Sequence, residues 1–250
     1  MKREELFPVL AERFRKIIEE NDLTGRQVSI ACRALSAQEA IGETKRKDFP
    51  LLHGKEVMMQ AEFDGGVGQA FTSTPSAFEG TLEEILALDI AGNDYDRAIF
   101  IAALNAVMAW LGLCDRSVHC REDGPEKCAV KIADTLLETY GKVRIAQIGY
   151  QPALLERLSE KFEMRLLDLD PDRIGKTKFG VQICDGVKDY EDTVLNWAEL
   201  VLCTGSTLSN ATIADYMDLD KEVLFYGTTV AGAASLLGLK RICHGTTCVF

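Results

Sequence analysis

The sequence lacks the features that direct a protein to a membrane or to nucleic acid. None of its apolar runs approaches the roughly 20 residues of a membrane-spanning helix, and the opening MKREELFPVL has no apolar core of a secretion signal. Basic side chains are outnumbered, with 28 Lys and Arg against 39 Asp and Glu and a net charge of −11. Nucleic acids and anionic membrane surfaces are bound by clustered Lys and Arg. We therefore expect no nucleic acid and no membrane as partner.

Familiar catalytic signatures are missing as well. The sequence contains no P-loop, no H-E-x-x-H zinc motif and no recognisable Ser–His–Asp arrangement. It has no C-x-x-C pair either, although it contains eight cysteines. Without a secretion signal these cysteines are expected to be reduced, and we predict a cytoplasmic protein. No reaction and no cofactor follow from these motifs.

The first 112 residues predict a small α+β domain. The spacing of their apolar residues predicts helices at 2–20, 81–88 and about 94–112. Between the first two helices, short β-like runs lie at 27–34, 55–63 and 66–72. The last two runs flank Asp64 and Gly65, a pair typical of tight hairpins, so we expect an antiparallel sheet.

A polar stretch at 113–127, which we interpret as a linker, separates this domain from a second pattern. Apolar runs then predict strands at 143–149, 164–170, 200–203 and 222–226. Helical patterns alternate with these runs across short loops. Such alternation is typical of a doubly wound parallel sheet, which we assign to residues 128–250. The predicted fold class is therefore α/β, a small α+β domain followed by a Rossmann-like parallel-sheet domain.

Small and hydroxylated residues follow the strand at 200–203. Thr204, Gly205, Ser206 and Thr207 lie between this strand and a helical pattern that begins at Leu208. A glycine in such a turn lets the backbone approach a ligand closely, and a hydroxyl can cap the following helix. Ligands of open parallel sheets bind beyond the carboxyl ends of the strands. The stretch is thus either a ligand-binding loop or an ordinary polar turn.

Two acidic residues lie at the carboxyl end of the strand predicted at 164–170. Asp168 and Asp170 lie 19 and 21 residues after Gly149, about where a carboxylate meets a ribose in nucleotide-binding folds. However, the turn after Gly149 lacks the G-x-G-x-x-G pattern, and Tyr150 and Pro152 would crowd a pyrophosphate. A smaller nucleoside-like ligand, as in methyltransferases, fits better than a dinucleotide.

One polar residue interrupts the apolar helix at 94–112. Asn105 stands in AALNAVMAW, and burying its amide without partners would cost a few kcal/mol. The side chain therefore either bonds neighbouring backbone or projects into a cleft. We expect it to project into the cleft.

Cysteine and histidine gather in two stretches that lie far apart in the sequence. The residues concerned are Cys114, His119, Cys120 and Cys128 in one stretch, and Cys243, His244 and Cys248 in the other. Thiolate and imidazole together bind soft metals. Because no four of these ligands are tightly spaced, we predict no stoichiometric structural zinc. The remaining Cys32, Cys184 and Cys203 lie in apolar runs and are expected in the core.

Three ordered motifs resemble the putative heavy-metal chelation family, a domain of unknown function. They are IAQIGYQPALLERLSEKFEMRLLDLDPDRIG, CTGSTLSNATI and YGTTVAGAASLLGLKRIC, within residues 128–243. The resemblance implies an enolase-N-terminal-like α+β domain, here residues 20–112, packed on a Rossmann-like domain with a site in the cleft between them. It supplies no catalytic residue. The positions within its motifs are Tyr150, Asp168, Asp170, Thr204, Gly205, Ser206, Thr207, Asn210, Gly227 and Thr228.

Three hypotheses about function stay open at this point. The first is a small-molecule enzyme or binder whose cleft holds a polar compound, such as a metal chelate or a pterin-, flavin- or siderophore-like chelator. The second is a protein that binds metal directly through its Cys and His residues. The third is a methyltransferase-like enzyme with a nucleoside cofactor. The sequence also leaves a homo-oligomer open.

Overall fold

Two β-sheets organise the chain, whose computed structural model describes residues 1–24, 30–53 and 56–244. The first sheet contains β1 (Ile30–Leu35), β2 (Val57–Phe63), β3 (Gly66–Thr72) and β4 (Phe78–Gly80). These strands are all antiparallel and run in the order β3-β2-β1-β4. The helices of this half are α1 (Arg3–Glu20), α2 (Ala37–Ile41), α3 (Leu82–Leu86) and α4 (Asp94–Trp110), with a 3₁₀ turn at Pro50–His53. The antiparallel prediction is confirmed, although part of the run predicted at 27–34 lies outside the described residues.

Local chemistry explains the two sharpest boundaries in this half. Asp64 and Gly65 both have positive φ, 48° and 88°, as a two-residue hairpin turn requires. At α3, the Thr81 hydroxyl accepts the Glu84 backbone N–H, and the Glu84 carboxylate accepts the Thr81 N–H at 2.7 Å. This reciprocal pair is a capping box, which fixes where the helix begins.

The second sheet is parallel apart from one edge hairpin. Its strands are β5 (Arg144–Ile148), β6 (Glu163–Asp168), β7 (Thr177–Lys178), β8 (Val181–Asp185), β9 (Leu200–Thr204) and β10 (Glu222–Tyr226). Their order is β10-β9-β5-β6-β8-β7, with only β7 antiparallel to its neighbour. The helices are α5 (Gly124–Tyr140), α6 (Pro152–Ser159), α7 (Ala214–Met217) and α8 (Ala231–Leu237), with a π-helical segment at Glu191–Trp197. The predicted α/β fold is confirmed.

The helix predicted from Leu208 differs in the structure. A 3₁₀ turn occupies Gly205–Leu208 instead, and an α-helix begins only at Ala214. The Thr207 hydroxyl donates to the Thr204 carbonyl at 2.6 Å, and Ala211 has a positive φ of 63°. Local side-chain bonds of this kind compete with helical bonds, and the positive φ interrupts the helical path.

The stretch predicted as a linker is tied to both sheets. The Ser117 carbonyl accepts the backbone N–H of Gln69 at 2.9 Å, so the stretch runs beside β3. The Arg241 guanidinium donates to the carbonyls of Asp115 and Arg116 at 3.0 and 2.8 Å. α5 begins at Gly124, inside the predicted range of 113–127. The boundary between two domains stays a prediction.

Hydrophobic packing joins the two halves, and the larger of the clusters that span both is centred on α4. This cluster includes Phe14 of α1, Phe63 of β2, Phe100 of α4 and Phe225 of β10, all of them buried. α4 contacts β3 on one side and α8 on the other. No helix within the described ranges is both long and apolar enough to cross a bilayer.

Candidate functional site

A cavity of about 740 Å³ lies at the carboxyl ends of the parallel strands and reaches the antiparallel sheet. β5 and β9 are neighbours, yet the chain leaves β5 toward β6 on one side and β9 toward β10 on the other. The order of the strands therefore reverses between β5 and β9. Open α/β sheets bind ligands in the crevice at such a point, and Gly149 and Thr204 lie there.

Most of the residues predicted from the sequence converge on this cavity. Those that line it are Tyr150, Asp168, Asp170, Thr204, Ser206, Thr207, Asn210, Gly227 and Thr228. They come from four strand ends that the sequence separates by up to 78 residues, from 150 to 228. Their role in binding stays a prediction, whereas their shared location is a property of the fold.

Asn105 does not project into this cavity, which corrects the expectation from the sequence. The residue is fully buried. Its amide nitrogen donates to the carbonyls of Gln69, Thr228 and Thr229 at 2.9–3.2 Å, and its oxygen accepts the Gly232 N–H at 2.7 Å. The amide thus joins α4 to β3 and to the turn after β10, and its bonding capacity is used within the protein.

Gly205 also has a different role from the one expected. It is buried and is not among the residues that line the cavity. A Cβ at this position would lie 2.8–2.9 Å from the side chain and backbone nitrogen of Val230. The missing side chain therefore admits Val230 rather than a ligand. Gly227, by contrast, lines the cavity; its φ is +94°, and an added Cβ would meet no atom within 4 Å.

The two acidic residues after β6 hold the loops at the cavity edge. The Asp168 carboxylate accepts the N–H groups of Tyr150 and Asp170 at 2.8 and 2.7 Å. Asp170 accepts the N–H of Asp172 at 2.9 Å and pairs with Arg173 at 3.0 Å. Both carboxylates are thus engaged within the protein, and a ribose would have to share them with these bonds.

Arg173 and Glu56 line the cavity but were not among the predicted residues. The Arg173 guanidinium lies 3.9 Å from the Glu56 carboxylate and 5.5 Å from the centre of the Tyr150 ring. Burial raises the pKa of Glu56, although Arg173 opposes that shift. Glu56 directly precedes β2 in the antiparallel half of the chain, so only the folded structure shows that it lies near Arg173 in the loop after β6.

Three residues of the cavity wall carry a buried polar atom that has no hydrogen-bond partner among the described residues. The atoms are the Thr228 hydroxyl oxygen, Nδ1 of His119 and Nε of Arg173, which lies 3.7 Å from the Asp168 carboxylate. The His119 ring packs edge-on against Phe71, with centroids 5.6 Å apart, and burial lowers the pKa of its imidazole to about 4. The imidazole is consequently neutral near pH 7. The sequence presented His119 only as a metal-ligand candidate.

Three of the cysteines meet at one end of the cavity. Cys120, Cys128 and Cys243 all line it, and the Cys128 thiol is within hydrogen-bonding reach of the other two. Cys248 lies outside the described residues. Within the described ranges, no three His, Cys, Asp or Glu side chains are arranged to hold a metal ion. Cys32 and Cys203 are buried as expected, whereas Cys184 is only half-buried.

Comparisons with known proteins agree with the motif resemblance. A structure of a protein of unknown function from the DUF364 family of Pyrococcus horikoshii aligns with a TM-score of 0.50 and 18% identity, covering 88% of this chain and 79% of that one. A DUF364 protein of unknown function from Desulfitobacterium hafniense aligns with a TM-score of 0.47 and 15% identity, covering 72% of each chain. The first similarity supports the fold. A search of curated proteins found no match.

The family model covers most of the parallel-sheet half. The enolase-like character predicted for the first half stays a prediction. Both Cys120 and Cys128 precede the matched range, and Cys243 follows it. The three thiols at the cavity therefore lie outside the matched range. Residues 131–240 match the DUF364 family, described as "Putative heavy-metal chelation", the family of unknown function that the motifs resemble.

Proposed function

We propose that this protein binds a small, polar, phosphate-free molecule, a metal chelate or a chelator of pterin type, in the cavity between its two sheets. The observation that carries the proposal is that two uncharged side chains of the cavity wall have a buried atom with no partner among the described residues, Thr228 Oγ1 and His119 Nδ1. A buried polar atom without a partner costs about 1–3 kcal/mol. A ligand that bonds to both atoms would recover this cost.

The lining of the cavity favours a neutral or cationic ligand. Carboxylates outnumber guanidinium groups there: Glu56, Asp94, Asp168, Asp170 and Asp215 against Arg3 and Arg173. An added phosphate would meet net negative charge, and Arg173 is already paired with acids. The volume is within the range of pockets that enclose drug-sized compounds.

The aromatic and polar groups of the lining suit a flat heteroaromatic compound. Tyr150 and Phe71 offer ring surfaces, and the neutral His119 imidazole can bond an N–H or an acceptor on the ring edge. Pterins combine such an edge with oxygen and nitrogen atoms that chelate metals. The family description, heavy-metal chelation, supports the same ligand class.

A nucleoside cofactor is the weaker alternative. It would require a free carboxylate after β6, and both candidates there accept hydrogen bonds from backbone N–H groups. Direct binding of metal through the described Cys and His side chains is not favoured either, because no three of them are arranged for coordination.

Thermal denaturation with three probes tests the proposal. The probes are pterin, alone and with one equivalent of Ni²⁺, riboflavin 5′-phosphate and S-adenosylmethionine. We expect pterin or its nickel complex, at about a hundredfold excess over its Kd, to raise the melting temperature by about 5 °C. Thr228→Val should weaken the binding of that probe about tenfold, since one hydrogen bond is lost.

Thr177→Val is the matched control, because Thr177 is exposed on β7 and absent from the cavity lining. It should bind the probe as the parent does. Stabilisation by S-adenosylmethionine alone would support the methyltransferase hypothesis instead. If neither form of pterin changes the melting temperature, the proposed ligand class is wrong.

A further inference from the structure

The last described residues of the chain lie along one face of α5. The His244 ring nitrogen Nε2 is 3.3 Å from the Thr135 hydroxyl, and the His244 backbone N–H faces the Cys128 sulfur. Positions 128 and 135 are seven residues apart, two helical turns, so they share a face of the helix. This contact brings Cys243 beside Cys128, although 115 residues of sequence separate them.

Cys120 reaches the same thiol from the other direction. It lies in the turn before α5, four residues ahead of Gly124. A Cβ at Gly124 would lie 3.0 Å from the Cys120 Cβ, so the glycine leaves room for Cys120 to turn back toward the helix. The Cys128 sulfur is within hydrogen-bonding reach of the sulfur atoms of both Cys120 and Cys243.

We propose that Cys120, Cys128 and Cys243 form an oxidisable thiol site in which Cys128 becomes disulfide-bonded to one of its two neighbours. Sulfur atoms in hydrogen-bonding contact are already near one another, and a disulfide requires them to approach to about 2 Å. All three side chains are half-buried and line the cavity, which gives a small oxidant a route to them.

A low-molecular-weight disulfide such as oxidised glutathione is the oxidant. One protein thiolate attacks a glutathione sulfur, the S–S bond breaks, and one glutathione thiolate leaves. A neighbouring protein thiolate then attacks the protein sulfur of the mixed disulfide and expels the second glutathione thiolate. Two protein thiols lose two electrons and two protons, and one glutathione disulfide becomes two glutathione thiols.

The experiment measures thiols and maps disulfides in the folded chain. Every variant carries Cys248→Ser, which removes the cysteine outside the described residues, so seven of the eight cysteines remain. After treatment with a chelator to remove adventitious metal, the protein is incubated with oxidised glutathione at about pH 8.5, where thiolate is more abundant. We expect the count of free thiols to fall by two, with a single disulfide that contains Cys128 in the peptide masses.

Two variants test the central position of Cys128. Cys128→Ser should keep all its thiols, and the double variant Cys120→Ser with Cys243→Ser should keep all of its own. Melting curves of the reduced proteins verify that each variant is folded. If Cys128→Ser does not fold, the double variant alone tests the central position of Cys128. Cys184→Ser is the matched control, a half-buried cysteine outside the site, and it should still form the disulfide.

Two results would overturn the proposal. One is a folded parent that retains all seven thiols after the incubation. The other is a disulfide that excludes Cys128, for instance one joining Cys114 to Cys243. Buried Cys32, whose pKa burial raises to about 12, serves as an internal reference that should stay reduced.

Discussion

Asn105 and Thr228 are adjacent buried polar residues with opposite hydrogen-bonding states. The Asn105 amide donates to the Thr228 carbonyl at 3.2 Å, so the two belong to the same part of the interior. Every polar atom of the Asn105 side chain is bonded within the protein. The Thr228 hydroxyl has no partner among the described residues, and neither has Nδ1 of His119 nearby.

The contrast separates structure from candidate function. A buried polar group that is fully bonded holds elements together, and its removal lowers the free energy of unfolding. The Thr228 hydroxyl makes no such bond among the described residues, and Thr228 lines the cavity. Asn105 and Thr228 are both polar and both buried, so only their hydrogen-bond partners distinguish them.

Removing the bonded amide should have the largest effect. Asn105→Ala leaves the Gly232 N–H without its acceptor and removes donors from three carbonyls. We expect the free energy of unfolding to fall by about 3 kcal/mol in urea denaturation. Asn210→Ala, at an exposed asparagine whose side chain accepts bonds from Thr212, should lose less than about 1 kcal/mol. Equal losses would show that the buried amide is not a structural joint.

The buried His119 imidazole should make the stability of the protein depend on pH. The unfolded chain binds a proton at His119 near pH 6.5, the folded chain only near pH 4, so the unfolded state holds more protons between these values. Stability should therefore fall as pH is lowered from about 6.5 to 4, by about 2–3 kcal/mol from this residue alone. The measurement is urea denaturation of the parent and His119→Gln across this range. Parallel curves for the two proteins would exclude a buried neutral His119.

Substitutions at two glycines, one after β9 and one after β10, test the same distinction between structure and binding. Gly205→Ala places a methyl group against Val230, so we expect a loss of about 2 kcal/mol with pterin affinity unchanged in the folded protein. Gly227→Ala meets no atom within 4 Å but strains a backbone with φ of +94°. It should lose about 1 kcal/mol and, because the residue lines the cavity, also weaken pterin binding. Calorimetric titration with pterin distinguishes the two, and a binding defect confined to Gly205→Ala would reverse our assignment.

The smallest change in stability should follow removal of the Thr228 hydroxyl. Valine has nearly the same shape as threonine and removes an oxygen that bonds nothing among the residues that the structure describes. Thr228→Val should therefore alter the free energy of unfolding by less than about 1 kcal/mol, in contrast to the loss for Asn105→Ala. A loss of more than about 2 kcal/mol in urea denaturation would mean that the hydroxyl has a structural partner.

Local patterns predicted the elements of this fold well. The strand at 222–226 and the hairpin at Asp64 and Gly65 follow from runs and turn residues that act over a few positions. β4 was missed because three residues are too few to show alternation. The prediction of a helix from Leu208 was wrong because the Thr207 hydroxyl donates to the Thr204 carbonyl, a bond that competes with helical backbone bonds. The spacing of apolar residues does not indicate such a bond.

The cavity was predictable only as a location. Strand ends at 149–152 and 204–207 must meet at one edge of a parallel sheet, so residues such as Tyr150 and Thr204 could be named in advance. Arg173, Glu56 and the unpartnered state of His119 depend on contacts between distant segments. The direction of the Asn105 side chain was wrong for the same reason, since its four partners lie on other elements.

Helix α4 has a consequence for how this chain could have changed through evolution. Every residue from Arg97 to Met108 is buried, and the Arg97 guanidinium donates to the Ser209 carbonyl of the other half. A helix without a solvent face depends on both of its neighbours. Exchange of either half with that of a distant relative would leave β3 or α8 against a surface it does not fit. We therefore expect substitutions in α4 to be constrained by both sheets at once.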